Sequence, residues 1–242
     1  MADPRLEVIG RRLEKVNQVI AVASGKGGVG KSMVASTLAL LLSRKGYSVG
    51  LFDLDFTSPS THIILGVESL QPEEEKGIIP PEAYGMRYMS VTFYAADEPA
   101  PLRGADVSNA IVELMAITRW EELDYLVLDM PPGISDATLD MIRLMEDLGF
   151  LLVTTPSRVS FETVKKLLTL LRELGVHIYG VVENMLMEPS TSIRSWIEKK
   201  EASYLGAIKF DPSLEGALGN IEILLQTNFA KDMAEIISKL EH

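Results

Sequence analysis

Hydrophobic residues recur along the chain in short unbroken runs, separated by longer stretches in which apolar and polar residues are mixed. Each run is apolar on both faces, which is typical of strands in a parallel sheet that helices cover on either side. The runs therefore predict a series of buried strands. They lie at residues 19–23, 48–53, 88–93, 125–129, 150–154, 178–182 and 205–210.

The stretches between the runs carry apolar residues at helical spacing. Helices are expected at residues 31–45, 105–119, 134–148 and 161–174, after a charged helix at about residues 5–15. This alternation predicts one doubly wound α/β domain over residues 1–242. A mostly parallel sheet would lie between two layers of helices.

Residues 68–84 depart from this alternation, because they are rich in proline and glutamate. The segment contains Pro72-Glu73-Glu74-Glu75 and, further on, Pro80-Pro81. We interpret it as a long surface loop. Two roles remain open, a solvated connection and a loop that docks a partner.

A glycine-rich segment follows the first predicted strand and opens the first long helix. It satisfies the pattern G-x-x-x-x-G-K-[ST] in the strand–loop–helix context that the pattern requires. Its backbone N–H groups and the helix N-terminus favour an anion, so we expect it to hold the phosphates of a nucleoside triphosphate. The residues expected to bind are Gly25, Lys26, Gly27, Gly28, Val29, Gly30, Lys31, Ser32 and Met33.

Three side chains of this loop are given chemical roles. Lys31 is expected to contact the β- and γ-phosphates as a catalytic residue, and Ser32 to offer its hydroxyl to Mg²⁺. Lys26 is an additional cation, suited to neutralising charge in the transition state. It could act in its own subunit or in a partner copy.

Acidic residues end two of the predicted strands, at the edge where ligands of parallel sheets bind. We assign Asp53 to Mg²⁺ or its water shell, and Asp55 to orienting the attacking water. Asp129 closes an apolar strand and is assigned to Mg²⁺ through water. The assignment of Asp129 depends on the glycine-rich loop, since many strands end in an acid, and for Asp53 and Asp55 the alternative is a pair of solvated aspartates that cap a strand.

Asn184 follows another strand and can donate and accept hydrogen bonds at once, as an adenine edge requires. The N-K-x-D pattern of guanine-binding P-loop proteins does not occur in the sequence. The sequence therefore favours ATP over GTP.

Composition narrows the classes of partner. The net charge of -11 disfavours binding to nucleic acid or to an anionic membrane surface. No apolar run is long enough to span a bilayer and no leader is recognisable, so a cytoplasmic location is expected. The chain has no cysteine, which excludes disulfides and cysteine-ligated clusters, and its three histidines do not cluster in sequence.

Taken together, the motifs resemble the Mrp/MinD branch of P-loop ATPases, which share K-G-G-V-G-K-[ST]. The resemblance implies a homodimer that sandwiches two nucleotides, with Lys26 reaching the partner's phosphates. It also implies slow hydrolysis, and adenine contacts from Asn184 and from the loop around Asp211 and Pro212. The matching segments are residues 26–32, 53–55, 103–104, 120–125, 129–136, 154–156, 181–185 and 210–212.

One departure from the family pattern bears on function. Mrp-type iron–sulfur carriers place a C-x-x-C pair shortly after the strand that holds Asn184, whereas residues 186–196 contain no thiol. Without thiols, the chain resembles the archaeal ATPase form of HypB. That resemblance implies nickel insertion into [NiFe] hydrogenase through a HypA-type metallochaperone, which is the function we expect. The alternatives are an Mrp-type iron–sulfur carrier or scaffold and a MinD/ParA-like positioning ATPase.

Overall fold

A computed structural model describes residues 3–67, 69–94, 104–145, 147–188 and 192–240. Arg103 of the resemblance lies outside these residues. The strands are β1 Val16–Ser24, β2 Val49–Asp53, β3 Glu73–Glu74, β4 Ile78–Ile79, β5 Glu82–Ala83, β6 Met86–Ser90, β7 Leu123–Asp129, β8 Leu148–Thr154, β9 His177–Leu186 and β10 Tyr204–Lys209.

Helices alternate with the strands. The α-helices are α1 Pro4–Leu13, α2 Lys31–Arg44, α3 Thr61–Leu65, α4 Gly104–Ile117, α5 Asp136–Leu144, α6 Arg158–Glu173, α7 Ser192–Lys199, α8 Ile221–Leu224 and α9 Asn228–Leu240. Short 3₁₀ turns occur at Val91–Phe93 and Glu215–Ala217.

The main sheet of the described chain has the strand order β10-β9-β8-β1-β7-β2-β6-β5. All neighbours are parallel except β5 and β6, so the predicted doubly wound, mostly parallel fold is confirmed. The register aligns Asp53 of β2 with Asp129 of β7, and Asp129 with Val22 of β1. The strand ends that carry the predicted acids therefore meet beside the glycine-rich loop.

Two cores lie on opposite faces of the sheet, because residues along each strand alternate between them. In β1, Ala21 faces the core formed with α1, α4, α5, α6 and α7. Its neighbour Val22 faces the core formed with α2, α3, α8 and α9. Helix α9 buries Phe229 and Met233 in this second core, as its amphipathic sequence predicts.

Element boundaries differ from the prediction where the backbone changes direction. The predicted helix 134–148 ends at Leu144, because Met145 takes an extended conformation (φ −132°, ψ 108°) and Leu148 already begins β8. The predicted strand 88–93 ends at Ser90, whose side chain accepts a hydrogen bond from the Thr92 N–H and starts a 3₁₀ turn.

The acidic segment differs more, since it contains short strands where we expected a loop. Strands β3 and β4 form an antiparallel hairpin that leaves the glutamates of β3 exposed. Two arginines hold it against the protein: Arg12 donates to the Lys76 carbonyl (3.2 Å), and Arg119 donates to the Glu75 carbonyl (2.9 Å). The sequence could not predict these contacts, because both arginines are far from the hairpin along the chain.

No helix within the described ranges is long and apolar enough to cross a bilayer.

The centre of β2 provides a test of how tightly the first core is packed. A Cβ at Gly50 would lie 2.8 Å from Leu123 Cδ1 and 2.9 Å from Trp120 Cε3. Gly50→Ala should therefore lower the free energy of unfolding by about 1–3 kcal/mol, measured by urea titration. Gly10 in α1 has open space, so Gly10→Ala should raise stability by about 0.5–1 kcal/mol. Equal effects of the two variants would contradict this packing.

Candidate functional site

The loop between β1 and α2 is shaped by glycines. Gly28 and Gly30 have φ of 78° and 83°, a backbone region that residues other than glycine rarely adopt. Gly30 is the N-cap of α2. A Cβ at Gly25 would lie 2.5 Å from the backbone of Thr163 in α6. The loop is thus pressed against α6 at its start, and its exposed residues Lys26, Gly27 and Gly28 face solvent.

The neighbouring turn after β7 braces this loop. The Gly133 N–H donates to the Ser24 carbonyl (2.8 Å), and the Ser24 hydroxyl donates to the Lys26 carbonyl (2.9 Å). Residues 131–133 have the sequence Pro-Pro-Gly. Hydrogen bonds of Ser24 therefore connect this turn to the glycine-rich loop.

Lys31 lies almost fully buried between two acids. Its Nζ is 2.6 Å from Asp129 Oδ1 and 3.5 Å from Asp55 Oδ2, and the Ser32 Oγ lies 3.3 Å away. The second oxygen of Asp129 is buried, and it has no hydrogen-bond partner among the residues that the structure describes. The loop lysine, the hydroxyl and two of the three predicted acids are thus brought together.

Burial dominates the electrostatics of these acids. It raises the pKa of Asp129 to about 7, with Lys31 opposing the rise and Asp53 adding to it. It also raises the pKa of Asp53, while hydrogen bonds from Thr61 and Asp55 oppose that rise. Asp53 and Asp129 are thus two buried acids beside a single lysine. An additional cation would stabilise their ionised forms, so the site favours one.

Asp53 has different partners from those expected of a metal ligand. Its Oδ1 accepts the Asp55 N–H (3.1 Å), and its Oδ2 accepts both the N–H (3.2 Å) and the hydroxyl (2.7 Å) of Thr61. The Thr61 hydroxyl also lies 2.8 Å from the Tyr88 hydroxyl. The metal role of Asp53 stays a prediction, and the structure shows its carboxylate hydrogen-bonded to the backbone of Asp55 and to Thr61.

Asp55 belongs to a tight turn beyond the end of β2. Its Oδ1 accepts hydrogen bonds from the Thr57 N–H (3.1 Å), the Thr57 hydroxyl (2.6 Å) and the Ser58 N–H (3.2 Å). Its Oδ2 is directed towards Lys31. One oxygen is therefore fixed by the turn while the other faces the centre of the site.

Asn184 reaches the glycine-rich loop from β9. Its Nδ2 donates to the Val29 carbonyl (2.9 Å), and a Cβ at Gly30 would lie 2.3 Å from that nitrogen. The pairing with β10 skips from Glu183 to Leu186, and Met185 has a φ of 59°. Such an irregularity turns side chains away from their regular direction. Asn184 therefore holds the loop, and its predicted contact with adenine remains untested.

Asp211 and Pro212 follow β10, whose end is joined to that of β9 by the hydrogen bond from the Phe210 N–H to the Leu186 carbonyl. The Asp211 carboxylate accepts the N–H groups of Asn228 (2.9 Å) and Phe229 (3.3 Å), and so caps α9. Pro212 is exposed. These two residues lie on the same sheet edge as Asn184, and their role towards a base stays a prediction.

Within the described ranges, no three His, Cys, Asp or Glu side chains gather into a group that could hold a metal ion by themselves. Mg²⁺ bound with a nucleotide usually needs only one or two protein ligands, because phosphates and water complete its shell. Ser32 and the unpaired oxygen of Asp129 match that smaller requirement.

Sequence reasoning missed Thr61, Tyr88 and Thr163. Thr61 stands before the apolar residues of α3, so a helix start could have been recognised there, but its contact with Asp53 depends on the fold. Tyr88 and Thr163 lie on other elements, and the sequence contains no signal that links them to the site.

The hydrogen bond between Asn184 and Val29 can be tested without any ligand. Asn184→Asp keeps the shape but replaces the donor with an acceptor that faces a buried carbonyl. We expect the free energy of unfolding to fall by about 1–3 kcal/mol, measured by urea titration. Asn220 serves as the control, because it caps α8 through its oxygen and Asn220→Asp preserves that hydrogen bond. A loss no larger than that of the control would contradict the assigned contact.

Comparison with known proteins identifies the family. The model described as NUBPL iron-transfer P-loop NTPase matches residues 15–241. An iron-sulfur cluster carrier protein of Aquifex aeolicus is 37% identical over 84% of this chain, which spans only 60% of that relative's length. The cytosolic Fe-S cluster assembly factor Nubp2 homolog 1 of Drosophila yakuba is 32% identical over 95% of this chain and 98% of its own.

A solved structure agrees with this result. The nucleotide-binding protein of Archaeoglobus fulgidus in complex with ADP has a TM-score of 0.75 and 29% identity, and the match covers 90% of this chain and 92% of the other.

These relatives overturn one expectation. Nickel insertion into [NiFe] hydrogenase through a HypA-type metallochaperone is wrong, because the relatives are described as iron–sulfur proteins. The expectation depended on the missing thiols, and a chain can lack thiols whichever metal its partner carries. The resemblance to the Mrp/MinD branch is confirmed: this chain belongs to the ParA/Mrp-type family of P-loop NTPases.

Proposed function

We propose that this protein is a Mg²⁺-dependent ATPase that serves iron–sulfur cluster assembly as a nucleotide-controlled switch. The observation that carries the proposal is the buried Lys31–Asp129 pair at the head of the glycine-rich loop, with one Asp129 oxygen unpaired. In the family to which the chain belongs, relatives are described as iron–sulfur cluster carriers and assembly factors.

The residues present fit ATP or ADP with Mg²⁺. The backbone N–H groups from Gly27 to Ser32 and the ammonium of Lys31 would hold the phosphates. The Ser32 hydroxyl and Asp129 Oδ2 would hold Mg²⁺, which supplies charge neutralisation at the phosphates when bound. The ADP complex of the related Archaeoglobus fulgidus protein supports an adenine nucleotide.

Two side chains would act in hydrolysis. Lys31 stabilises negative charge that develops on the phosphates, and it is already aligned by Asp129 and Asp55. Asp55 would orient the attacking water through Oδ2, because its Oδ1 is committed to the turn at Thr57 and Ser58. The positions of both groups are set before any substrate arrives.

The cluster would be held by a partner. Iron–sulfur clusters are bound by cysteine thiolates, and this chain contains no cysteine. We therefore propose that the protein changes its affinity for a thiolate-bearing carrier as its nucleotide changes. A cytosolic location accords with the description of the Drosophila relative.

Lys31→Ala tests the nucleotide part of the proposal. The variant removes the phosphate contact, so ATP affinity should fall at least about tenfold and hydrolysis should be lost. Affinity is measured by equilibrium dialysis, and hydrolysis by phosphate release. Because removing Lys31 leaves Asp129 buried without its cation, the double variant Lys31→Ala/Asp129→Ala controls for instability.

The cluster part is tested by capturing partners with ATP or ADP and measuring the iron in the captured proteins. Wild type should retain cysteine-bearing, iron-containing proteins in a nucleotide-dependent manner, and Lys31→Ala should not. Iron-free partners would refute the assembly role while leaving the ATPase intact. ATP affinity equal to that of wild type in both Lys31 variants would refute the nucleotide site.

We further propose that Lys26 acts across a homodimer. Its side chain is exposed, and its ammonium has no ion-pair partner among the described residues. Lys26→Ala should bind ATP as wild type does but lose ATP-linked dimerisation, measured by analytical ultracentrifugation. The matched control is Lys199→Ala, which removes an exposed lysine at the end of α7. Dimerisation that persists in Lys26→Ala would show that the loop lysine acts within its own subunit.

A further inference from the structure

Three buried polar side chains form a hydrogen-bonded series that is connected to Asp55. The proposed hydrolysis does not use any of the three. Asp53, Thr61 and Tyr88 are each fully buried. The Thr61 hydroxyl is 2.7 Å from Asp53 Oδ2 and 2.8 Å from the Tyr88 hydroxyl. Burying a polar group costs free energy unless the group is hydrogen-bonded, so these contacts compensate for the burial of the three side chains.

The direction of these hydrogen bonds follows from the groups themselves. The Thr61 hydroxyl donates to Asp53 Oδ2, which also accepts the Thr61 N–H, so the Thr61 oxygen is left to accept from the Tyr88 hydroxyl. Tyr88 stays a donor, because burial raises the pKa of its hydroxyl. Its ring is fixed edge-on to Phe93, with centroids 5.7 Å apart. The hydrogen-bonded series therefore starts at the packed ring of Tyr88 and ends at Asp53, the last residue of β2, two residues before Asp55.

Asp53 joins the two ends of one segment. Its Oδ1 accepts the N–H of Asp55 and its Oδ2 accepts the N–H and hydroxyl of Thr61, so residues 54–60 form a closed loop. The N-cap residue of α3, Ser60, makes no side-chain capping bond, and Asp53 satisfies the first N–H of that helix in its place.

We propose that Asp53 is the positioning residue of the site and that Thr61 and Tyr88 clamp it, so that the closed loop holds Asp55 towards Lys31. The catalytic consequence rests on the proposed ATPase function, whereas the clamp itself is a property of the protein without nucleotide. Asp53 then acts through Asp55, and Ser32 and Asp129 are left as the protein ligands of Mg²⁺.

Thr61→Val tests the clamp, because it removes the hydroxyl and retains the shape. Thr61→Ser keeps the hydroxyl and should behave as wild type. Thr37 gives a matched control. It is buried in α2, its hydroxyl has no hydrogen-bond partner in the described part of the chain, and Thr37→Val leaves residues 54–60 untouched.

The first measurement is amide hydrogen exchange of the nucleotide-free protein. In Thr61→Val, residues 54–60 should exchange about tenfold faster than in wild type, while β8 at Leu148–Thr154 should not change. Thr61→Ser and Thr37→Val should match wild type, and Tyr88→Phe should show a smaller increase. Unchanged exchange of residues 54–60 in Thr61→Val would overturn the clamp, and so would an equal increase in β8.

The second measurement is steady-state hydrolysis. Thr61→Val should lower kcat about tenfold while KM for ATP and the half-saturating Mg²⁺ concentration stay as in wild type. Recovery of kcat at high Mg²⁺ would instead make Asp53 a metal ligand and overturn its positioning role. Absence of hydrolysis in wild type would refute the proposed function alone, since the exchange experiment decides the clamp independently.

Discussion

The ammonium of Lys31 lies 2.6 Å from Asp129 Oδ1 where β7 ends, and hardly any of either side chain reaches solvent. Removing two charges from water is expensive, so such a pair is a poor means of stabilising a fold. Its position at the start of α2, beside the glycine-rich loop, accords with the phosphate contact proposed for Lys31. The neighbouring strands, loops and helix ends are arranged around this one buried cation.

Several contacts restrict movement of the groups around Lys31. Asn184 holds the Val29 carbonyl, Gly133 holds the Ser24 carbonyl, and Asp53 closes the loop that carries Asp55. Each contact joins a segment next to Lys31 to a neighbouring element of the protein. In the function proposed above, a change at the phosphates would be transmitted through these contacts, as a nucleotide-controlled switch requires.

The residues proposed to bind nucleotide belong to this chain, whereas the ligands of an iron–sulfur cluster would belong to a partner. The residues proposed to bind nucleotide and Mg²⁺ lie in one loop and at two strand ends, whereas the chain has no cysteine to ligate a cluster. The missing cysteines exclude cluster ligation by this chain and say nothing about which metal a partner carries. For this reason the relatives, which are described as iron–sulfur proteins, were needed before iron–sulfur chemistry could be proposed for a partner of this chain.

The sequence by itself determined the alternation of strands and helices, the glycine-rich loop and the acids at the strand ends, because these depend on local spacing. It did not determine that β3 and β4 form a hairpin, since Arg12 and Arg119 hold it from remote positions. Only the tertiary structure placed Thr61 and Tyr88 behind Asp53. Parallel strands bring together residues that are far apart along the chain. A local sequence pattern therefore cannot predict which buried hydroxyl contacts which carboxylate.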